Sequence, residues 1–281
     1  MSLNFGKIAL LGSGETAPSG KKILRRIMQQ ERKRYKVAIL ETPAGFQPNT
    51  EYVAGEIKNI FDFSLREFIN SVSVIPARNK KSILSPNNKN ILEPLLTADF
   101  IFMGPGSPTY TVRQMKGSLA LKYIHSAWKK GKTLCFSSAG ALAVGKFTLP
   151  VYEIYKAGFD LYWEDGLDIF RETGFTNTTI ITHWNNKEGG KHLDTRYCYM
   201  GKERFMRLKE ILPSEALIIG IDEHSALLID FPHRKLSVEG LGKVTLFYND
   251  STNKITIEKG QTLEIGSILN TNTTKKRLFQ I

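Results

Sequence analysis

Cysteine is scarce in this chain: its 281 residues include two, Cys135 and Cys198. Two thiols make no disulfide framework, and Cys135 sits inside an apolar run, so the expected setting is a reducing cytoplasm. Long apolar runs are missing as well. No stretch approaches the roughly 18 residues of a membrane span, so no membrane partner is expected. The opening MSLNFGKIALLG lacks a basic segment followed by a long apolar one, so no secretory leader is expected. Internal repeats and long linkers are absent too. One domain is therefore expected over residues 1–270, with a polar, basic tail over 271–281.

Acidic residues are the minority charge. Against 27 Asp and Glu stand 39 Lys and Arg, a net charge of +12. Such a balance can mark a nucleic-acid binder. Here the basic residues are spread over KKILRRIMQQERKRYK (21–36), RNKKS (78–82), WKKGK (128–132) and TKKR (274–277). The first segment carries Ile23, Leu24, Ile27 and Met28 at helical spacing, which is the pattern of a solvated helix face. No nucleic-acid module accompanies the charge, so no nucleic-acid partner is expected.

Apolar runs alternate with amphipathic segments through the first two thirds of the chain. Strands are read at 7–12, 35–43, 71–77, 98–104 and 132–138, separated by helices at 18–34, 50–62, 87–96 and about 108–130. The strands are continuous apolar runs, as strands covered on both faces should be. The order predicts an α/β three-layer sandwich: a largely parallel central sheet with helices on both faces. Residues 150–175 are irregular. A strand follows at 177–184, then a polar loop at 185–201, a helix at 202–212 and a strand at 216–222. Beyond these the period changes to short strands, a C-terminal antiparallel β extension.

In such a sheet ligands bind beyond the carboxyl ends of the strands. Four loops fall there: GSGET (12–16), ETPAG (41–45), GPGSPTY (104–110) and SSAGA (137–141). Small residues after a strand are commonly plain turn packing, but their recurrence after successive strands points to a site. Ser138 stands at a strand-to-helix corner followed by Ala-Gly-Ala, the design of a nucleophile elbow. Serine needs a base, and the base an orienting carboxylate. His183 ends a later strand, and Glu223 follows the strand at 216–222. His192 and His224 compete as bases, and His125 and His233 look peripheral. Glu153, Glu164, Asp165 and Asp168 are rival orienters. His183, Glu188, His192 and Asp194 form a short run of metal-ligand types, but the spacing fits no strong pattern and no metal is expected.

GSGE (12–15), GPGSPTY, SSAGA, THW (182–184) and GIDEHSAL (220–227), in this order, resemble the cyanophycinase and dipeptidase E family of serine peptidases. The likeness runs from about residue 5 to 250 and implies a single class I glutamine amidotransferase-like domain over 1–270. It implies a serine hydrolase, a peptidase or amidase without metal or cofactor, working through an acyl-enzyme on aspartyl or other acidic peptides. Carried over by position, Ser138 is the nucleophile, His183 the base and Glu223 the orienter, with Glu153 in the region some members use instead. The amides of Ala139 and Gly106 become the oxyanion donors. Gly14, Glu15, Gly104, Ser107 and Arg196 become substrate-binding residues. A homodimer is compatible with this reading. Three features depart from the family pattern: Phe136 stands where the elbow has glycine, the loop after His183 is long, and Gly-Pro-Gly replaces a Gly-rich loop. An inactive member of the fold that binds a small anionic metabolite is the alternative.

Overall fold

The computed structural model describes residues 5–269; the tail expected over 271–281 lies outside the described residues. The chain opens with β1 (Lys7–Leu11), α1 (Pro18–Gln29), β2 (Tyr35–Leu40), α2 (Thr50–Asn59), β3 (Ile69–Ile75), α3 (Lys89–Thr97) and β4 (Phe100–Met103). There follow α4 (Pro108–Met115), α5 (Leu119–Lys129), β5 (Thr133–Ser137), α6 (Ala139–Ala143), β6 (Phe147–Thr148), β7 (Glu164–Asp165) and β8 (Thr178–Ile181). Last come α7 (Gly201–Glu210), β9 (Leu217–Ile221), β10 (Ser225–Asp230), β11 (Lys235–Gly240), β12 (Lys243–Tyr248), β13 (Ile255–Glu258) and β14 (Thr262–Glu264).

The central sheet has the order β14-β11-β10-β1-β5-β4-β2-β3. Strands β1, β5, β4, β2 and β3 run parallel, and β10, β11 and β14 add antiparallel to the β1 edge. Alternate side chains of the parallel strands enter two cores. Ile8, Leu10, Leu134 and Phe136 pack with Leu92, Leu95, Ile124 and Trp128 of α3 and α5. Ala9, Leu11, Cys135 and Phe102 pack with Ile23, Leu24, Ile27 and Met28 of α1 and Ile57 of α2. Helices thus cover both faces, as the continuous apolar runs require.

Two features differ from the sequence reading. First, β8 and β9 leave the central sheet and form a second one, β13-β12-β9-β8-β6-β7. Apolar runs report burial on both faces but not which neighbour a strand pairs with. Second, the helix expected over 108–130 is two helices. Gly117 takes a left-handed φ of 74°, and Ser118 caps α5 by accepting from the Leu121 amide at 3.1 Å.

Candidate active site

Strand β5 ends at Ser137 and α6 begins at Ala139, so Ser138 alone makes the corner. Its φ of 49° and ψ of −114° are rare for a residue with a side chain. The strand alternation decides where the neighbours go. Phe136, paired with Leu10 and Met103, is wholly buried in the core beneath α3 and α5. Ser137 faces the opposite side, where its hydroxyl donates to Glu15 Oε2 at 2.7 Å. The helix starts so near β4 that a Cβ on Gly140 would lie 2.3 Å from the Met103 carbonyl oxygen. Here the small residue that matters follows the serine; the bulky one before it is absorbed by the sheet.

The end of β1 anchors both halves of the site. The Leu11 carbonyl accepts from the Ser138 amide at 3.1 Å, and the Gly12 carbonyl accepts from the His183 amide at 3.3 Å. His183 lies two residues beyond β8 with a φ of 50°, and its carbonyl accepts from the Cys198 amide at 3.2 Å. Ser138 Oγ is 3.0 Å from His183 Nε2, and His183 Nδ1 is 2.9 Å from Glu223 Oε1. Glu223 is held below the ordinary glutamate range, chiefly by the hydrogen bond from His183, against the opposing effect of burial, with Asn186 helping. An ionised carboxylate only accepts hydrogen bonds, so Nδ1 carries the proton and Nε2 of the neutral ring is left to accept from the serine.

Two asparagines escaped the sequence reading. Asn186 is 1% exposed and donates from Nδ2 to the same Glu223 Oε1 at 2.9 Å. Asn185 Oδ1 accepts from the Glu223 amide at 2.8 Å. The signal was the doubled amide directly after His183-Trp184, read there only as loop polarity. The rival bases are engaged or remote. His224 Nδ1 is 2.9 Å from the Ser19 hydroxyl, His233 faces Asp230, His125 faces Glu172, and His192 is exposed in the loop. Among the rival orienters, Glu153 accepts from the Thr109 hydroxyl, Glu164 pairs with Arg113, and Asp165 pairs with Lys116 and Lys146. Asp168 sits left-handed ahead of a 3₁₀ turn.

Ser138, Ala139, Gly106 and His183 line one cavity of about 400 Å³. Its other walls include Tyr152, Tyr155, Lys156, Glu188 and Tyr199. Hollows of about 490 and 470 Å³ lie elsewhere, beside Lys22 and Arg26 of α1 and beside His125 and Lys129 of α5, away from Ser138. Of the residues expected to bind substrate, Gly14, Glu15, Gly104, Ser107 and Arg196 are all outside the cavity lining. Gly14 packs against the His224 ring, and Glu15 holds Ser137. The Gly104 carbonyl accepts from the Gly140 amide at 3.1 Å, and Ser107 caps α4. Arg196 is tied in two hydrogen bonds to Asp194, at 2.8 and 2.7 Å. A fork that matches a substrate carboxylate matches a neighbouring aspartate equally well.

The run His183, Glu188, His192 and Asp194 does not converge. Glu188 accepts from the Tyr199 hydroxyl and Asp194 takes Arg196. Among the described residues no three His, Cys, Asp or Glu side chains form a metal-binding group. Cys198 also borders the cavity, but burial pushes its thiol up to about 12, which leaves little nucleophilic thiolate.

The model of peptidase family S51 matches residues 8–233. The chain belongs to peptidase family S51. It is thus a peptidase of the serine type, and the family is the one its five motifs resemble. No curated protein matches it. Among solved structures, a peptidase from an acI-B1 actinobacterium is 19% identical with a TM-score of 0.72, over 92% of this chain and 97% of that one. A peptidase E-type protein from Listeria monocytogenes EGD-e is 16% identical with a TM-score of 0.57, over 85% of this chain and 100% of that one. At these identities the likeness is one of fold. The family assignment rests on the sequence match, and it spans Ser138, His183 and Glu223.

Proposed function

We propose that this S51 peptidase hydrolyses a short peptide or amide through a Ser138-His183-Glu223 triad. The hydrogen-bonded line from the Ser138 hydroxyl through His183 to Glu223, on the wall of a cavity, carries the reading. Ser138 Oγ attacks the scissile carbonyl while His183 Nε2 takes its proton. The imidazolium so formed is stabilised by Glu223 and returns the proton to the leaving amine. Water, activated by the same nitrogen, then cleaves the acyl-enzyme. The amides of Ala139 and Gly106 face the developing oxyanion. Ala139 opens α6 and so has no earlier turn of its own helix to bond to.

An aspartyl or other acidic residue is the proposed specificity. Among the described residues lining the cavity, Lys156 is the basic side chain, and the chain as a whole carries +12. Two buried free thiols suit a reducing cytoplasm. Phe136 lies in the core and not in the cavity, so it lends no support to an inactive member of the fold.

Hydrolysis of an Asp-Xaa dipeptide panel, beside matched Ala-Xaa peptides, tests the reading. The expected result is turnover of acidic members that falls by about 10⁴-fold or more in Ser138→Ala. Turnover that persists in Ser138→Ala, or none with any member, would overturn it.

A further inference from the structure

The cavity wall holds one carboxylate that has no cationic partner among the described residues. Glu188 lies in the long loop after His183 and lines the cavity with Tyr199 and Lys156. Its Oε2 accepts from the Tyr199 hydroxyl at 2.9 Å. Among the described residues no Lys, Arg or His lies within ion-pair distance of it, in a chain with 39 Lys and Arg against 27 acids. Asp194, six residues on in the same loop, is by contrast fully engaged by Arg196.

The loop spends unusual structure on holding this carboxylate in place. Tyr197, Cys198 and Tyr199 all have positive φ, at 57°, 56° and 69°, a left-handed turn made without glycine. Left-handed backbone is unfavourable for a residue with a side chain, so the surrounding contacts must hold it. The turn is clamped to the base: the Tyr197 amide donates to the Trp184 carbonyl and the Cys198 amide to the His183 carbonyl. It sets the Tyr199 ring 5.8 Å from the His183 ring and 5.3 Å from that of Tyr155. From the other side, the Glu188 amide donates to Asn186 Oδ1 at 3.1 Å, while the amide nitrogen of the same Asn186 holds Glu223. Glu188 is thus fixed through the same residues that fix the triad. Burial, and then the bond to Glu188, raise the Tyr199 hydroxyl and keep it a proton donor.

We infer that Glu188, held by Tyr199, is a specificity residue that receives a cationic nitrogen of the substrate within the active-site cavity. The inference rests on the proposed hydrolase site. The cationic nitrogen can be the α-ammonium of a free N-terminus or a Lys or Arg side chain. Both present N–H donors and positive charge to a carboxylate that has one oxygen already occupied. With Lys156 also lining the cavity, the site offers one group for each sign of charge.

Binding to the inert Ser138→Ala protein tests this without relying on turnover. Two probe pairs are titrated by calorimetry: Asp-Leu against N-acetyl-Asp-Leu, and N-acetyl-Ala-Lys-Ala against its norleucine analogue. Each pair differs in one positive charge, the first at the α-amine and the second on a side chain. The expected result is about tenfold or tighter binding of the cationic member of one pair, as a charge-assisted hydrogen bond gives. That difference should vanish in Ser138→Ala/Glu188→Gln and shrink in Ser138→Ala/Tyr199→Phe. Absence of any difference in both pairs, or its survival in Glu188→Gln, would overturn the inference. Glu188 is exposed, so Gln is accommodated, and thermal midpoints of the variants verify folding. Fluorophosphonate labelling of the wild type reports separately on the hydrolase reading. A labelled Ser138 with no charge preference rejects the role of Glu188 alone.

Discussion

Each member of the proposed triad is held by a partner that the chemistry does not consume. Asn186 shares Glu223 Oε1 with His183, and it is almost wholly buried. Replacing it by Ala leaves a buried acceptor short of a donor, at a cost of about 1–2 kcal/mol near pH 7. The pH dependence follows from the depressed value of Glu223. A carboxyl whose folded value lies below its unfolded one contributes stability above the unfolded value and loses it as pH falls through the folded one. The destabilisation by Asn186→Ala, read from urea denaturation, should therefore shrink as pH falls from about 7 to below the ordinary glutamate value. A constant difference would mean that Asn186 acts through packing alone. Glu223→Gln keeps the shape but lets the imidazole settle in the wrong tautomer. It should lower kcat by about 10²–10⁴-fold with a smaller change in KM. The cysteines give a third expectation. Both thiols are buried and raised by that burial, so iodoacetamide should alkylate neither in the native protein, and activity should persist. Mass spectrometry of the treated protein, native and then denatured, checks it.

At the scale of elements, the elbow depends on how closely α6 approaches β4. A methyl at position 140 would press on the Met103 carbonyl, which is backbone and cannot swing aside. Gly140→Ala should destabilise by about 1–3 kcal/mol and reduce labelling of Ser138, measured together by thermal unfolding and probe incorporation. This part of the site was legible in the sequence: strand, serine, Ala-Gly-Ala. The roles of the other glycine loops were not. GSGET and Gly104 look like ligand-loop elements because glycine permits close approach, yet what approaches them here is the protein itself. Leu11 and Gly12 bond to the backbones of Ser138 and His183, and Gly104 bonds to Gly140. A sequence shows that backbone can come near something without showing what. Arg196 misled for a related reason, because its partner Asp194 lies two residues away and was counted as a separate candidate.

At the scale of the molecule, the alternation of apolar runs made the layered fold readable, while the split into two sheets was not. The pairing of β8 with β9 and of β9 with β12, and not with β1 or β5, is decided by non-local contacts that no local period records. The consequence is that nucleophile and base sit on different sheets, joined through the end of β1. The basic balance also shapes stability. Asp99, Asp165, Asp194 and Glu223 are all held below their ordinary values, by Lys132, Lys116, Arg196 and His183 respectively, against burial. Each binds fewer protons folded than unfolded below about pH 4.5, so the thermal midpoint should fall as pH drops into that range. Asp222, raised by burial, acts in the opposite sense and is outnumbered. The assignment of Ser138 itself is tested most directly by fluorophosphonate labelling mapped by tandem mass spectrometry. One adduct on Ser138 is expected in the wild type, absent from Ser138→Ala and strongly slowed in His183→Ala. An adduct on any other residue, or equal labelling rates in wild type and His183→Ala, would contradict the triad.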